Sequence, residues 1–109
     1  MKVKVTLKQR TTDVFAEAIY EGATITVLPG GKISKDFADH IRGGKTAKSY
    51  RDDAQYVDKN GTILKSCEFT SPSTAAQFVT GRSTNGYEAW KVEEKKSLGD
   101  YLKEKGLRD

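Results

Sequence analysis

Residues 69–91 read FTSPSTAAQFVTGRSTNGYEAWK, and the order of residue types in this stretch decides the fold. Ser71 stands directly before Pro72. This predicts a helix start, because the serine hydroxyl can accept an orphan N–H while proline at the first helical position lacks an N–H that would go unpaired anyway. Ala75, Phe78 and Val79 follow at i, i+3 and i+4 as one apolar stripe, and small Ala76 permits a close approach to a sheet. Gly81 suits the left-handed residue that closes a helix. Arg82-Ser83-Thr84-Asn85-Gly86 is a polar turn. Tyr87 to Val92 then reads as a strand, with Trp90 and Val92 on one face and Tyr87, Ala89 and Lys91 on the other.

Outward from this segment, the pattern is mostly that of strands. Lys2 to Lys8 alternates Val3, Val5 and Leu7 with Lys2, Lys4, Thr6 and Lys8, the period of a half-buried strand. Val14 to Tyr20 and Thr24 to Leu28 form a predicted hairpin across Glu21-Gly22-Ala23, closed by Pro29-Gly30-Gly31. Apolar residues thin out from Lys32 to Arg51, where a short helix is expected over 36–41 with Phe37 and Ile41 at i and i+4. A second hairpin is predicted from Gln55 to Lys59 and Thr62 to Phe69, around an Asn60-Gly61 pair suited to a type I′ turn. Its second arm places Cys67 beside Phe69 as a small packing residue, not a nucleophile. Ser97, three residues before Asp100, begins a last helix with Leu98, Tyr101 and Leu102 on its apolar face, and Gly106 ends it.

The expected fold is therefore α+β: one domain over residues 1–109, an antiparallel sheet of about five or six short strands, and the Ser71 and Ser97 helices packed on one face. With 109 residues, 36% hydrophobic and 31% charged, the chain can close a single core. No apolar run approaches the ~20 residues of a membrane span, and the N-terminus has no signal-peptide core, so a soluble, cytoplasmic protein is expected. One cysteine and one histidine leave no disulfide, no metal set and no basis for expecting a cofactor. A formal charge of +4, from 19 Lys+Arg against 15 Asp+Glu, permits a polyanionic partner without requiring one.

Ser71-Pro72-Ser73, Ala75-Ala76, Phe78-Val79, Gly81-Arg82-Ser83, Asn85-Gly86 and Trp90-Lys91 together resemble the signature of the domain of unknown function 4357 family. Upstream, AIYEGATITVLPGG from Ala18 to Gly31 is similar to the glycine-bounded strand pair of that family, so the resemblance covers about residues 14 to 104. Two departures stand out: Tyr87 where the family commonly has Trp, and Glu94-Lys95 where an Asp-Gly turn is usual. Family members often accompany nucleases of the GIY-YIG type or restriction-modification proteins, and the segment resembles a module associated with restriction enzymes and adenine methylases. The resemblance implies an accessory role near nucleic acid. No nuclease or methylase motif occurs here, so such a partner is expected to act in trans.

Gly43-Gly44-Lys45-Thr46 is similar to the end of a phosphate-binding P-loop, but the first glycine of that motif would fall at Asp39 and no buried strand precedes it. Adjacent carboxylates such as Asp52-Asp53 and Glu93-Glu94 make poor acid/base pairs. A non-catalytic module is expected. Between His40 and Arg51 no acidic residue interrupts Arg42, Lys45, Lys48 and Arg51, and Tyr50 lies among them. A flexible basic loop over 42–51 could track a phosphate backbone and stack on a base, or simply be solvated. Trp90 fits a core anchor, whereas Arg82 could bond neighbouring carbonyls or, with Ser83, Asn85 and Lys91, meet phosphate or a base edge. Two partners follow as expectations: nucleic acid, contacted by Arg42, Lys45, Lys48, Arg51, Arg82, Ser83, Asn85 and Lys91, or a nuclease or modification enzyme docked through exposed aromatics.

Overall fold

The alternation in the first eight residues builds the centre of the sheet. In the computed structural model, which describes residues 2–22, 24–37 and 45–107, Lys2–Lys8 forms strand β1, with Val5 and Leu7 buried and the lysines exposed. It pairs along its whole length with β2 (Phe15–Glu21), which turns through Gly22 at φ 61° into β3 (Thr24–Val27). The predicted hairpin forms with its first arm one residue later than expected. Opposed pairs Leu7 and Ala16, Val5 and Ala18, Ala18 and Val27 place one apolar row across three strands.

The remaining strands are shorter. β4 (Cys67–Phe69) adds to β3, while β5 (Lys91–Glu93) and β6 (Lys96–Ser97) extend the sheet beyond β1, giving the order β4-β3-β2-β1-β5-β6 with all pairs antiparallel. Among the described residues four helices accompany it: α1 (Lys45–Arg51), α2 (Pro72–Thr80), α3 (Gly86–Ala89) and α4 (Leu98–Glu104). This is an α+β fold. Its interior is a single cluster in which Trp90, Phe69, Phe78, Ile25, Ile63 and Leu98 are the largest fully buried side chains.

The caps expected at both long helices are present. Ser71 Oγ accepts from Thr74 N at 3.1 Å, and Gly81 adopts φ 72° with its N–H on the Gln77 carbonyl. Ser97 Oγ likewise accepts from Asp100 N. Gly106 N and Leu107 N reach back to Lys103 and Leu102, closing α4, although the Leu107 side chain stays exposed. Trp90 is the core anchor, wholly buried, with Nε1 donating to the Pro72 carbonyl at 3.0 Å.

Four expectations need correction. Tyr87 to Val92 is not one strand: Asn85 Oδ1 accepts from Tyr87 N and caps the helical turn α3, and pairing starts only at Lys91. Gly86 makes that turn possible by lying against the first turn of α2, where it leaves no room for a side chain. The second hairpin reduces to a bridge between Val57 and Ile63. Its turn is held by Asp58, whose Oδ1 accepts from Asn60 N and Thr62 N; Gly61 alone has positive φ there, so it is not type I′. The basic stretch is not a loop from Lys45 onward. It is α1, anchored by buried Ala47 and by Tyr50, whose ring meets Tyr56 at 4.9 Å and Phe69 at 5.2 Å, and whose hydroxyl accepts from Glu68 N at 3.3 Å. Of the helix expected over 36–41, Asp36 and Phe37 are not helical and 38–41 lie outside the described residues.

Candidate functional site

The polar turn between α2 and α3 is held by its own hydroxyls. Thr84 Oγ1 donates to the Arg82 carbonyl at 2.9 Å, and Thr80 Oγ1, 3.0 Å from the Thr84 hydroxyl, donates to the Ala76 carbonyl and accepts from Arg82 N. Asn85 is fixed by its capping bond. The backbone of 80–85 is thus set without using the Arg82 side chain, which is exposed and makes no hydrogen bond or ion pair among the described residues. Of the two readings open for Arg82, bonding to neighbouring carbonyls is not what the structure shows.

Strand register brings two lysines to the same place. Lys91 opens β5 opposite Thr6 of β1, and Lys8, two residues on, shares that sheet face. Lys8, Lys91, Arg82, Ser83 and Asn85 line one cleft of about 500 Å³, floored by Leu7 and Thr80, with Glu88 its one carboxylate. Three cations against one anion make it electropositive. Its donors are of several kinds: a guanidinium fork, two ammonium groups, a hydroxyl, and an amide whose oxygen is already occupied by the cap.

The cations of α1 have other tasks. Lys48 pairs with Asp52 at 3.0 Å one turn away, and Lys45 lines a separate cleft of about 480 Å³ with Tyr50, Asp53 and Tyr56. Arg51 is half-buried, its guanidinium donating to the carbonyls of Ser34, Asp36 and Phe78 and stacking 5.0 Å above the Phe37 ring. Burial pushes its pKa down, with Asp52 and Asp36 opposing that shift. Arg51 ties the 34–37 segment to α1 and α2, which leaves little of its fork for a phosphate. Arg42 lies outside the described residues.

A larger cleft of about 910 Å³ adjoins the first, sharing Gln9, Thr80 and Arg82 with it. It adds Arg10, Lys32 and Lys35, with Asp13 and Asp36 opposing. Lys32 hydrogen-bonds to Asp13 and holds that carboxyl below its usual range, so one opposing charge is neutralised. Arg10 and Lys35 form no ion pair among the described residues. Sequence reasoning missed Lys8, Arg10 and Lys35. Lys8 was visible as the last polar residue of an alternating strand, but nothing in the chain pattern tells which strand end meets the 82–85 turn.

A family model, described as a domain of unknown function, matches residues 6–102. The chain belongs to the DUF4357 family. The match reaches further toward the N-terminus than the resemblance suggested, and it takes in Lys8, Arg82, Ser83, Asn85 and Lys91 together. Neither the curated proteins nor the solved structures gave a significant match.

Elsewhere this DUF4357 domain keeps its reactive groups covered. Cys67 is buried, its thiol pushed up to about 12 by desolvation, and its Sγ lies 3.3 Å from the Lys65 carbonyl. Among the described residues no three His, Cys, Asp or Glu side chains are grouped to hold a metal, and no helix is long and apolar enough to cross a membrane.

Proposed function

We propose that this DUF4357 domain is a non-catalytic accessory module of the cytoplasm that binds nucleic acid weakly, through the cleft lined by Lys8, Arg82, Ser83, Asn85 and Lys91. The observation that carries the reading is convergence: side chains from β1, β5 and the turn after α2 meet in one electropositive cleft, with the Arg82 side chain unpaired among the described residues and its backbone already fixed. Phosphate contacts of this kind supply most non-specific affinity. A fixed turn also lowers the ordering cost that binding would otherwise add.

The test is fluorescence anisotropy of a labelled oligonucleotide over a salt series. Arg82→Ala and Lys91→Ala are each expected to weaken binding and to lower the slope of log K against log salt by about one phosphate contact. Lys45→Ala, outside the cleft, should leave affinity nearly unchanged. Absence of binding at low salt, or equal effects at Lys45 and Arg82, would sink the reading.

A second reading has a specific feature behind it. Phe15 is 42% exposed and stands on the sheet face opposite buried Ala16. Such a ring suits docking onto a nuclease or methylase in trans. Co-purification with that enzyme after nuclease digestion, lost in Phe15→Ser, would favour it over the first.

A further inference from the structure

The two adjoining clefts form a trough, and its shape and lining narrow the kind of nucleic acid it can take. Resting on the nucleic-acid reading above, the geometry points to an unpaired strand: its phosphates follow the cations of the smaller cleft, and one of its bases enters the larger cleft and stacks on Phe37.

Three observations carry this. Firstly, the site is concave. Reading the major groove of a duplex takes a protruding helix or two-stranded ribbon, whereas Lys8 and Lys91 sit at strand ends and the remaining lining comes from Leu7, the segments 9–14, 32–37 and 80–85, and Glu88 and Ala89 of the single turn α3. A cleft of about 910 Å³ is in the size range of small-molecule pockets, large enough for a base and its sugar but not for a double helix. Secondly, the cations lie in both clefts and Arg82 belongs to each, so a backbone passing Lys91 and Lys8 meets Arg82 and then, in the larger cleft, Arg10 and Lys35. Thirdly, the larger cleft holds an aromatic ring prepared for stacking. Phe37 lines it and is only half-buried, while Arg51 lies over the ring at 5.0 Å without itself lining that cleft. The guanidinium, fixed by the carbonyls of Ser34, Asp36 and Phe78, holds the ring where it borders the cleft. A cationic track beside an aromatic platform is how single strands are held without sequence preference.

Arg51 thus acts as a positioning residue for Phe37 rather than as a phosphate contact. Its charge and its shape can be separated: Arg51→Lys retains the cation but not the flat fork that supports the ring.

The experiment compares a short oligodeoxynucleotide, the ribonucleotide of the same sequence, and the DNA duplex, by anisotropy at low salt. One or both single strands should bind more tightly than the duplex, by roughly tenfold if one base stacks, and the tighter of the two identifies the preferred sugar. Phe37→Leu, which keeps the apolar bulk and removes the π-face, should weaken the single strand by roughly five- to tenfold and leave duplex binding unchanged. Should that variant melt early, exposed Arg10→Ala serves instead: it should weaken the single strand and lower its salt slope by roughly 0.7, the value for one phosphate of a single strand. A duplex bound as tightly as either strand, or single-strand affinity indifferent to both Phe37→Leu and Arg10→Ala, overturns the inference while leaving the Arg82 cleft standing. Loss of all binding by the unsubstituted protein would instead remove the reading beneath it.

Discussion

Gly86→Ala probes the joint between α2 and α3 through sterics alone. Gly86 does not have a positive φ, so alanine meets no backbone penalty, and in an open helix the change would stabilise by up to about 1 kcal/mol. Here an added Cβ would lie 2.1 Å from the Pro72 carbonyl carbon, 2.2 Å from its oxygen and 2.3 Å from Ser73 N. All three are backbone atoms, so no side chain can swing aside and α3 must lift from α2. Two bonds of 3.0 Å span that joint, Gly86 N to Ser73 Oγ and Trp90 Nε1 to the Pro72 carbonyl. Overpacking costs about 1–3 kcal/mol, and a Trp90 N–H left buried without its acceptor costs about 1–3 kcal/mol more. The expected loss of about 2–6 kcal/mol is a large part of the ~5–15 kcal/mol available to a domain. At about 4 °C per kcal/mol the melting temperature should fall by about 8–24 °C. Trp90 is the only tryptophan, so its emission reports this joint directly and should shift to the red in the native baseline, alongside melts by circular dichroism. Gly22→Ala is the matched comparison, with φ +61° and no atom within 4 Å of the added Cβ; it should cost about 1–2 kcal/mol of backbone strain and leave the emission unchanged. If Gly86→Ala melts within roughly 2 °C of the parent with unaltered Trp90 emission, the steric argument is wrong.

Other expected outcomes follow from single contacts. Ser71→Ala removes the α2 cap and should cost about 1 kcal/mol by chemical denaturation, with Ser71→Gly milder. Arg51→Lys should cost about 2–3 kcal/mol because a single ammonium nitrogen cannot stand both where Nη1 meets the Phe78 carbonyl and where Nη2 meets those of Ser34 and Asp36, whereas loss of the exposed Lys48–Asp52 pair in Lys48→Ala should cost under about 0.5 kcal/mol. Cys67 should resist alkylation at neutral pH in the folded protein and react only on unfolding. Its raised pKa also fixes a sign: the native state keeps a thiol proton that the unfolded state releases, so this contribution is complete below the ordinary value of 9.0 and is lost as pH rises through about 12. An alkaline denaturation series that falls less steeply in Cys67→Ala than in the parent would check it.

The elements legible in the sequence were those in which a local rule and the tertiary contacts agree. Lys2–Lys8 could be read as a strand because its period decides which side is buried, and Ser71-Pro72 as a helix start because the cap needs no distant partner. Tyr87 to Val92 misled because Tyr87, Trp90 and Val92 are residue types enriched in strands, while Asn85 and Glu88 at the cap and third helical positions carried the competing signal of a capping pattern. The helicity of Lys45–Arg51 was hidden for another reason: α1 is settled by the Tyr50 ring against Tyr56, Phe69 and Phe78, and by Arg51 reaching carbonyls 15 to 27 residues away. The same distinction runs through the site. Arg82, Ser83, Asn85 and Lys91 stood out as polar residues unclaimed by local structure, whereas Lys8 and Arg10 join them only through strand pairing and chain reversal.

The hydroxyl of Tyr50 has a consequence for how this domain meets other molecules. β4 is an outer strand of three residues, and in an antiparallel ladder its middle residue points its N–H away from the sheet. That group, on Glu68, is already bonded to Tyr50. The opposite border is a strand of two residues that runs straight into α4. Neither border offers a row of vacant amides to a passing chain, so peptide capture by strand addition and edge-to-edge aggregation are both disfavoured. A partner must come to this sheet through side chains, across its open face or at the mouth of the trough.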